Sequence, residues 1–104
     1  MYAAVDIGGT KTLVVVLDDA KNIVEQVKFP TPKDYTQFTS ELAKNVANFS
    51  TKLFIGGGVG IRGNIDRENG LSLMDDVLPW GEATVRDDCQ KIFDCPFVLE
   101  NDSK

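Results

Sequence analysis

A chain of 104 residues has room for one domain, and its hydrophobic share of 42% and charged share of 26% are those of an ordinary globular protein. A net charge of −5 argues against nucleic acid or an anionic membrane as a partner, because both bind cationic surfaces. The sequence has no apolar stretch near the roughly 20 residues that span a bilayer and no signal-peptide pattern at its start, so we expect a cytoplasmic protein. Without histidine, Cys89 and Cys95 disfavour a zinc site and suggest reduced thiols, with a disulfide as the alternative.

The first part of the chain predicts three strands joined by two tight turns. An apolar run at 2–7 stops at a Gly-Gly pair, a nearly continuous β-branched run follows at 10–17, and a mixed apolar and polar run covers 23–29. A continuous apolar strand is typical of burial on both faces, whereas the mixed pattern of the third strand indicates less burial. Together the three strands predict an antiparallel meander.

A helix is predicted to follow the third strand. Its apolar positions recur at steps of three and four residues, which is the spacing of one helical face. They are Tyr35, Phe38, Leu42, Val46 and Phe49. The first turn can be capped by Thr31, which precedes a proline, or by Asp34, which has Gln37 three residues further on.

The rest of the chain predicts a strand, an irregular segment, a second helix and a last strand. The strand begins at 53–55 and runs into a glycine-rich stretch at 56–66, and residues 66–80 are predicted to be irregular. The second helix covers about 85–93 with Thr84 as its cap, and the last strand covers 97–99. The order β-β-β-α-β-α-β predicts an α/β fold with a mixed five-stranded sheet.

The strongest functional signal is the turn between the first two strands. Gly8 and Gly9 permit a tight hairpin whose backbone can approach a ligand, because no Cβ stands in the way. The N–H groups of this turn and the Thr10 hydroxyl can bind phosphate oxygens, and Lys11 can add positive charge. Asp6, at the end of the first strand, can hold Mg²⁺ through water. A plain structural Gly-Gly hairpin is the alternative.

A second polar group follows the last strand and ends in Asn101 and Asp102. A carboxylate after the carboxyl end of a strand points into the crevice where open α/β sheets bind ligands. Asp102 can act as a general base that accepts the proton of a bound hydroxyl group, and the Asn101 amide can both donate to and accept from neighbouring hydroxyls. Judged alone, a fraying polar tail is the commoner explanation.

The glycine-rich stretch at 56–66 is a weaker signal. Glycines at a strand end let the backbone line a pocket, but a flexible loop is the more common reason for such a sequence. No Gly-Lys-Ser or Gly-Lys-Thr follows, so it is not a P-loop.

These segments, in this order, resemble the ROK family (repressors, open reading frames and sugar kinases) over the whole chain. The family's Asp-x-Gly-Gly-Thr phosphate loop matches residues 6–11, its Gly-x-Pro-Gly turn matches 60–63, its Leu-Pro-Trp-like segment matches 78–80, and its Asn-Asp pair matches 101–102. The resemblance implies the ribonuclease-H-like half-unit from which actin-like ATPases and hexokinases are built. It also implies ATP and Mg²⁺ as cofactors and a hexose or N-acetylhexosamine as substrate. Asp102 would then be the catalytic base, with Asn101 and Gly63 on the sugar side.

The sequence departs from the family pattern at two places: Arg62 replaces the proline of the turn, and residues 74–77 replace a small Gly/Asn segment. The family's second lobe, with its second phosphate loop, adenosine pocket and Cys/His zinc site, has no counterpart in residues 1–104. The resemblance therefore implies a single N-terminal lobe. Because phosphoryl transfer needs groups from both sides of a cleft, we expect negligible turnover by this chain alone.

Two other functions stay open. One is a non-catalytic half-domain, natural or engineered, that folds and forms a homodimer through exposed apolar residues. The candidates for that surface are Leu73, Met74, Leu78 and Trp80. The other is a ribonuclease-H-like nuclease, which needs three or four clustered carboxylates, whereas only Asp6 and Asp102 can be placed. A ROK repressor would need a DNA-binding helix-turn-helix before the phosphate loop, and only five residues precede Asp6.

Overall fold

The computed structural model describes residues 1–61, 65–66, 68–72, 80 and 83–101, with the backbone alone at 65, 66, 72 and 101. The strands in this part of the chain are β1 (Tyr2–Ile7), β2 (Lys11–Leu17), β3 (Ile23–Pro30), β4 (Gly56–Ile61), β5 (Ile65–Asp66), β6 (Leu71–Ser72) and β7 (Phe97–Asn101). The helices are α1 (Tyr35–Ala47) and α2 (Val85–Phe93). Neither described helix has the length and apolar character that a membrane crossing requires.

Five strands form one sheet in the order β3-β2-β1-β4-β7. β1 and β2 are antiparallel, as are β2 and β3, whereas β4 is parallel to both β1 and β7. The predicted meander and the mixed five-stranded sheet are therefore confirmed. β5 and β6 form a separate antiparallel pair, so the prediction of an irregular segment at 66–80 is wrong for residues 66, 71 and 72.

The two faces of the sheet differ in burial, because side chains alternate along each strand. The buried face carries Ala3, Val5, Ile7, Val14, Val16, Phe29, Val59, Ile61, Phe97 and Leu99. Both helices pack on it, since Phe38 of α1 contacts Phe29 and Phe93 of α2 contacts Phe97. The opposite face, here called the open sheet face, carries Ala4, Asp6, Leu13, Val15, Gly58, Gly60, Val98 and Glu100. Neither described helix packs on the open sheet face.

Helix α1 begins where Asp34 caps it. The backbone at Asp34 is extended, and its Oδ2 accepts a hydrogen bond of 3.0 Å from the Gln37 N–H. This satisfies one of the N–H groups that a helix leaves without a partner at its first turn. Of the two predicted caps, Asp34 is therefore correct, and Thr31 takes part in a different contact described below. The predicted apolar face is buried through Phe38, Leu42 and Val46.

Helix α2 starts at the predicted residue, but the Thr84 side chain does not cap it. Thr84 occupies the capping position without bonding the backbone of the first turn, and its hydroxyl donates instead to Oδ2 of Asp88 at 2.9 Å. The Tyr35 hydroxyl donates to the same oxygen at 2.6 Å, which joins α1 to α2. Burial, and then this bond to a carboxylate, raise the pKa of Tyr35, so its hydroxyl keeps its proton and remains the donor.

The fourth strand does not begin at 53–55 as the sequence predicted. Leu53 and Ile55 are 83% and 60% exposed and precede the strand, which starts at Gly56. Gly56, Gly57 and Gly58 therefore do not form a flexible loop after a strand, because they are the first half of β4 itself. Its partners on either side are β1 and β7, which makes β4 an inner strand of the sheet.

Trp80 is not the exposed association residue that the sequence predicted. Its ring lies 4.7 Å from that of Phe38 and 5.1 Å from that of Tyr35, measured between centroids, and its Nε1–H donates to the Pro32 carbonyl at 3.2 Å. Trp80 is half-buried as a result and covers the start of α1. The other three residues of that predicted surface, at 73, 74 and 78, lie outside the described residues.

Cys89 and Cys95 are free thiols. Burial raises the pKa of Cys89 to about 12, and burial also raises that of Cys95. Both side chains are therefore protonated thiols at neutral pH, and the thiolate that would attack a disulfide or bind a metal is scarce.

Candidate functional site: a glycine hairpin beside parallel strand ends

The turn between β1 and β2 is a tight hairpin with Gly9 and Thr10 at its tip. The last paired residues are Ile7 and Thr12, and the Gly8 N–H donates to the Lys11 carbonyl at 2.9 Å. A Cβ on Gly8 would lie 2.9 Å from that carbonyl oxygen, which explains why glycine stands there. Because the Gly8 N–H is used to close the hairpin, the donors that the tip can present to an anion are those of Gly9 and Thr10.

The segment that follows β3 holds this hairpin in place. The Thr31 N–H donates to the Thr10 carbonyl at 2.9 Å, and the Thr31 and Thr12 hydroxyls share a buried hydrogen bond of 2.8 Å. The Lys33 Nζ donates to the Gly9 carbonyl at 3.3 Å. Three contacts from residues 31–33 therefore reach the hairpin.

The sequence patterns did not indicate that Thr31 and Lys33 lie at the hairpin. These residues reach it because the antiparallel register of β2 and β3 pairs Lys11 with Pro30, so that the residues after Pro30 pass beside the hairpin. The proximity of Thr31 to Thr12 depends on that register, which the sequence pattern alone did not fix.

The hairpin lies at the same edge of the sheet as the carboxyl ends of β4 and β7. The three parallel strands are aligned so that Ile7 pairs with Ile61, and Ile61 with Asn101. Since neighbouring strands are spaced by about 4.8 Å, the ends of β1 and β7 are about 10 Å apart. Asp102 is the next residue after β7, and both it and Gly63 lie outside the described residues.

Two carboxylates face the open sheet face near this edge. Asp6 and Glu100 are both exposed, and each is in register with Gly60, which separates them without a side chain of its own. They contribute to the lining of a shallow groove of about 300 Å³ whose other residues are mostly apolar. Asp6 is thus accessible to a hydrated cation, as expected for a Mg²⁺ ligand that acts through water.

The residues present fit a phosphate-bearing cofactor. The hairpin tip offers two backbone N–H groups, the exposed Thr10 hydroxyl and the exposed Lys11 ammonium, all of which are donors. Donors of this kind in a tight turn form an anion-binding concavity.

The sequence model of the ROK family matches residues 2–104. N-acetyl-D-glucosamine kinase of Salmonella gallinarum is 30% identical over 99% of the chain, and glucokinase of Streptomyces coelicolor is 27% identical over 95%. A crystal structure of a ROK family glucokinase from Streptomyces griseus, in complex with glucose and AMPPNP, superposes on 97% of the chain with a TM-score of 0.83 and 27% identity. The chain spans about a third of the length of these relatives, at 35%, 32% and 33% respectively.

The fold is accordingly that of the actin-like ATPases, of which ROK kinases are examples. The chain belongs to the ROK family, because the family model matches nearly all of its residues. The family that the sequence motifs predicted is therefore confirmed.

Proposed function

We propose that this chain is the N-terminal lobe of an ATP-dependent sugar kinase, whose hairpin binds the phosphates of ATP·Mg and whose Asp102 is the catalytic base. The observation that carries the proposal is the shared edge of the sheet, where the hairpin and the end of β7 are two strands apart. A nucleotide's phosphate tail held at one point and a sugar hydroxyl held at the other can meet between them. The nuclease hypothesis is not retained, because the chain belongs to the ROK family.

In this proposal each site residue has a defined task. The N–H groups of Gly9 and Thr10, with the Thr10 hydroxyl and Lys11, hold the phosphates, and Gly8 keeps the hairpin closed. Asp6 holds Mg²⁺ through water, and the bound ion neutralises charge on the phosphate oxygens.

The sugar is held on the other side of the site. Asn101 and Gly63 bind the hexose or N-acetylhexosamine, and Asp102 accepts the proton of the attacking hydroxyl as the phosphoryl group moves to that oxygen. The substrate class is supported by the relatives, which are named as kinases of glucose and of N-acetyl-D-glucosamine.

A titration of the ¹⁵N-labelled chain with ATP·Mg, followed by NMR, tests the phosphate role of the hairpin. We expect the largest amide shifts at residues 8–11. The turn at 18–22 provides an internal control, because it joins β2 to β3 at the opposite edge of the sheet. Shifts that are absent from the hairpin, or that are larger at the control turn, would contradict the proposal.

The chain alone is expected to have negligible kinase turnover. The residues described here form one wall of a cleft, and catalysis of phosphoryl transfer depends on positioning and charge stabilisation from both walls. A coupled assay of ADP release with glucose, N-acetylglucosamine and N-acetylmannosamine measures this directly. Turnover clearly above the sugar-free blank would show that the chain is a complete catalyst and would refute the lobe assignment.

Self-association is a second proposed property of the chain by itself, and the open sheet face favours it. On this face Val98 is 59% exposed and Tyr2 is 41% exposed, beside half-buried Leu13 and Val15. Exposed apolar surface of this kind promotes association, most often as a two-fold pair.

Light scattering at millimolar concentration is expected to give the mass of a homodimer. Val98→Asp should shift the chain to the monomer, because it places a charge in the apolar face, whereas Leu53→Asp, the same change in the loop before β4, should not. A monomeric wild-type chain, or equal effects of the two variants, would contradict this surface.

A further inference from the structure

We infer that Lys33 is a second cationic residue of the phosphate site, held at the hairpin tip by Thr31. This inference rests on the proposed function, in that the hairpin must be a phosphate site. Lys33 lies outside the Asp6–Lys11 motif by more than twenty residues, yet its Nζ is 3.3 Å from the Gly9 carbonyl oxygen. Its neighbour Thr31 bonds both the backbone of Thr10 and the side chain of Thr12.

These contacts orient the Thr10 N–H, one of the two backbone donors at the hairpin tip. In a trans peptide the C=O and the N–H of the next residue point in opposite directions. A bond from Lys33 to the Gly9 carbonyl therefore fixes the direction of the Thr10 N–H. The bond from the Thr31 N–H to the Thr10 carbonyl holds the same residue from its other side. One of the two N–H donors at the tip is thus set before any ligand arrives, which reduces the ordering that binding must impose.

The backbone before Lys33 is anchored to the core of the protein. Thr12 is fully buried and Thr31 is 7% exposed, so their shared hydrogen bond anchors the segment to the core at the base of the hairpin. Pro32, between Thr31 and Lys33, accepts a hydrogen bond from Trp80. A single residue, Pro32, separates the buried Thr31 from the exposed Lys33, and the proline ring restricts the backbone there.

Lys33 also changes the charge at the tip. With Lys11, which borders the Gly9–Thr10 turn in the sequence, it gives the hairpin two lysines in a chain whose net charge is −5. Two carboxylates are close in sequence to these lysines or to the hairpin: Asp6 precedes Gly8 by two residues, and Asp34 directly follows Lys33. The Asp34 carboxylate accepts the Gln37 N–H at the start of α1. An ammonium this close to the tip adds its charge to the field that a phosphate meets, whatever other groups it contacts. Bonds between ammonium and phosphate are charge-assisted, which makes them stronger than neutral ones.

The test compares three variants of the chain by NMR titration with ATP·Mg and with inorganic tripolyphosphate, at low and high salt. Lys33→Gln keeps an N–H donor for the Gly9 carbonyl but removes the charge, and Lys33→Arg keeps both. Lys52→Gln is the matched control, because Lys52 is also exposed and also donates to a backbone carbonyl, that of Ala47 at 2.7 Å, away from the hairpin.

We expect Lys33→Gln to weaken binding of both anions by about three- to ten-fold at low salt and to reduce the salt dependence, with the fold unchanged. Lys33→Arg and Lys52→Gln should stay within about two-fold of the wild-type affinity. A purely structural role for Lys33 would leave the salt dependence unaltered.

The outcomes separate this inference from the proposed function. If the wild-type chain shows no hairpin shifts with either anion, the phosphate role of the hairpin is refuted and the role of Lys33 falls with it. If the wild-type chain binds the anions and Lys33→Gln binds them equally well, or no worse than Lys52→Gln, the role proposed for Lys33 is refuted. The phosphate role of the hairpin is not refuted by that result.

Discussion

Replacement of Phe38 by alanine is expected to lower the free energy of unfolding by about 3–5 kcal/mol. Phe38 is 1% exposed, and its ring lies 6.3 Å from Phe29, 6.0 Å from Tyr35 and 4.7 Å from Trp80 between centroids. Removing it opens a cavity where β3, α1 and the half-buried tryptophan meet. Urea denaturation followed by the fluorescence of Trp80, the one tryptophan in the sequence, measures the loss.

The control for this prediction is Leu53→Ala. Leu53 is also a large apolar residue, but it is 83% exposed, so its truncation should change the unfolding free energy by less than about 0.5 kcal/mol. Because Trp80 also bonds Pro32, the Phe38 variant should in addition broaden the amide signals of residues 31–33 and of the hairpin that they hold. Similar losses in the two variants would contradict the packing described here.

Gly57→Ala is expected to destabilise the chain by about 2–3 kcal/mol. A Cβ at this position would lie 2.4 and 2.5 Å from two carbons of the Phe97 ring and 2.9 Å from the Ala3 carbonyl oxygen. Neither neighbour can move easily, since Phe97 is 4% exposed and packs against Phe93 at 4.9 Å, and the Ala3 carbonyl belongs to a central strand. Urea denaturation again gives the magnitude.

The adjacent glycine provides a matched control for this substitution. Gly58 is in the same strand but faces the open sheet face, where an added Cβ would meet the nearest atom, Cγ2 of Val98, at 3.5 Å. That is ordinary van der Waals contact, and alanine also restricts the unfolded chain, so Gly58→Ala should be neutral or stabilising by a few tenths of a kcal/mol. Equal destabilisation by the two alanines would contradict the clash with the Phe97 ring as the reason for glycine at position 57.

Much of the fold follows from local patterns. The spacing of Phe38, Leu42 and Val46 predicted α1, because the buried face of a helix leaves a periodic record in the sequence. The β-branched run predicted the strand β2, but the predicted burial on both faces is wrong, since Leu13 and Val15 on the open sheet face are only half-buried. The hairpin was predictable for a local reason too, since Gly8 meets a steric need within the turn itself. The turn that carries the proposed phosphate-binding residues was therefore predictable from the sequence, and its phosphate role stays a prediction.

The rest depends on contacts between distant residues. Glycine is disfavoured in strands, so nothing local marks Gly56–Gly58 as part of β4, and the reason for Gly57 is an aromatic ring forty residues later. The burial of Trp80 needs the side chain of Phe38, and the contact of Lys33 with the hairpin needs the register of β2 and β3. Each of these features is set by tertiary packing, which single-residue patterns do not contain.

The central claim is that the hairpin and the end of β7 border one crevice. Paramagnetic broadening by ATP·Mn²⁺ tests it most directly, with Mn²⁺ replacing Mg²⁺ and free Mn²⁺ as the control for binding to surface carboxylates. We predict that bound ATP·Mn²⁺ broadens the amides of residues 8–11 together with those of 100–102, and those of 18–22 least, because that turn is about 20 Å away along the strands. Broadening of the hairpin that leaves residues 100–102 sharp, or no broadening at either place, would contradict the account.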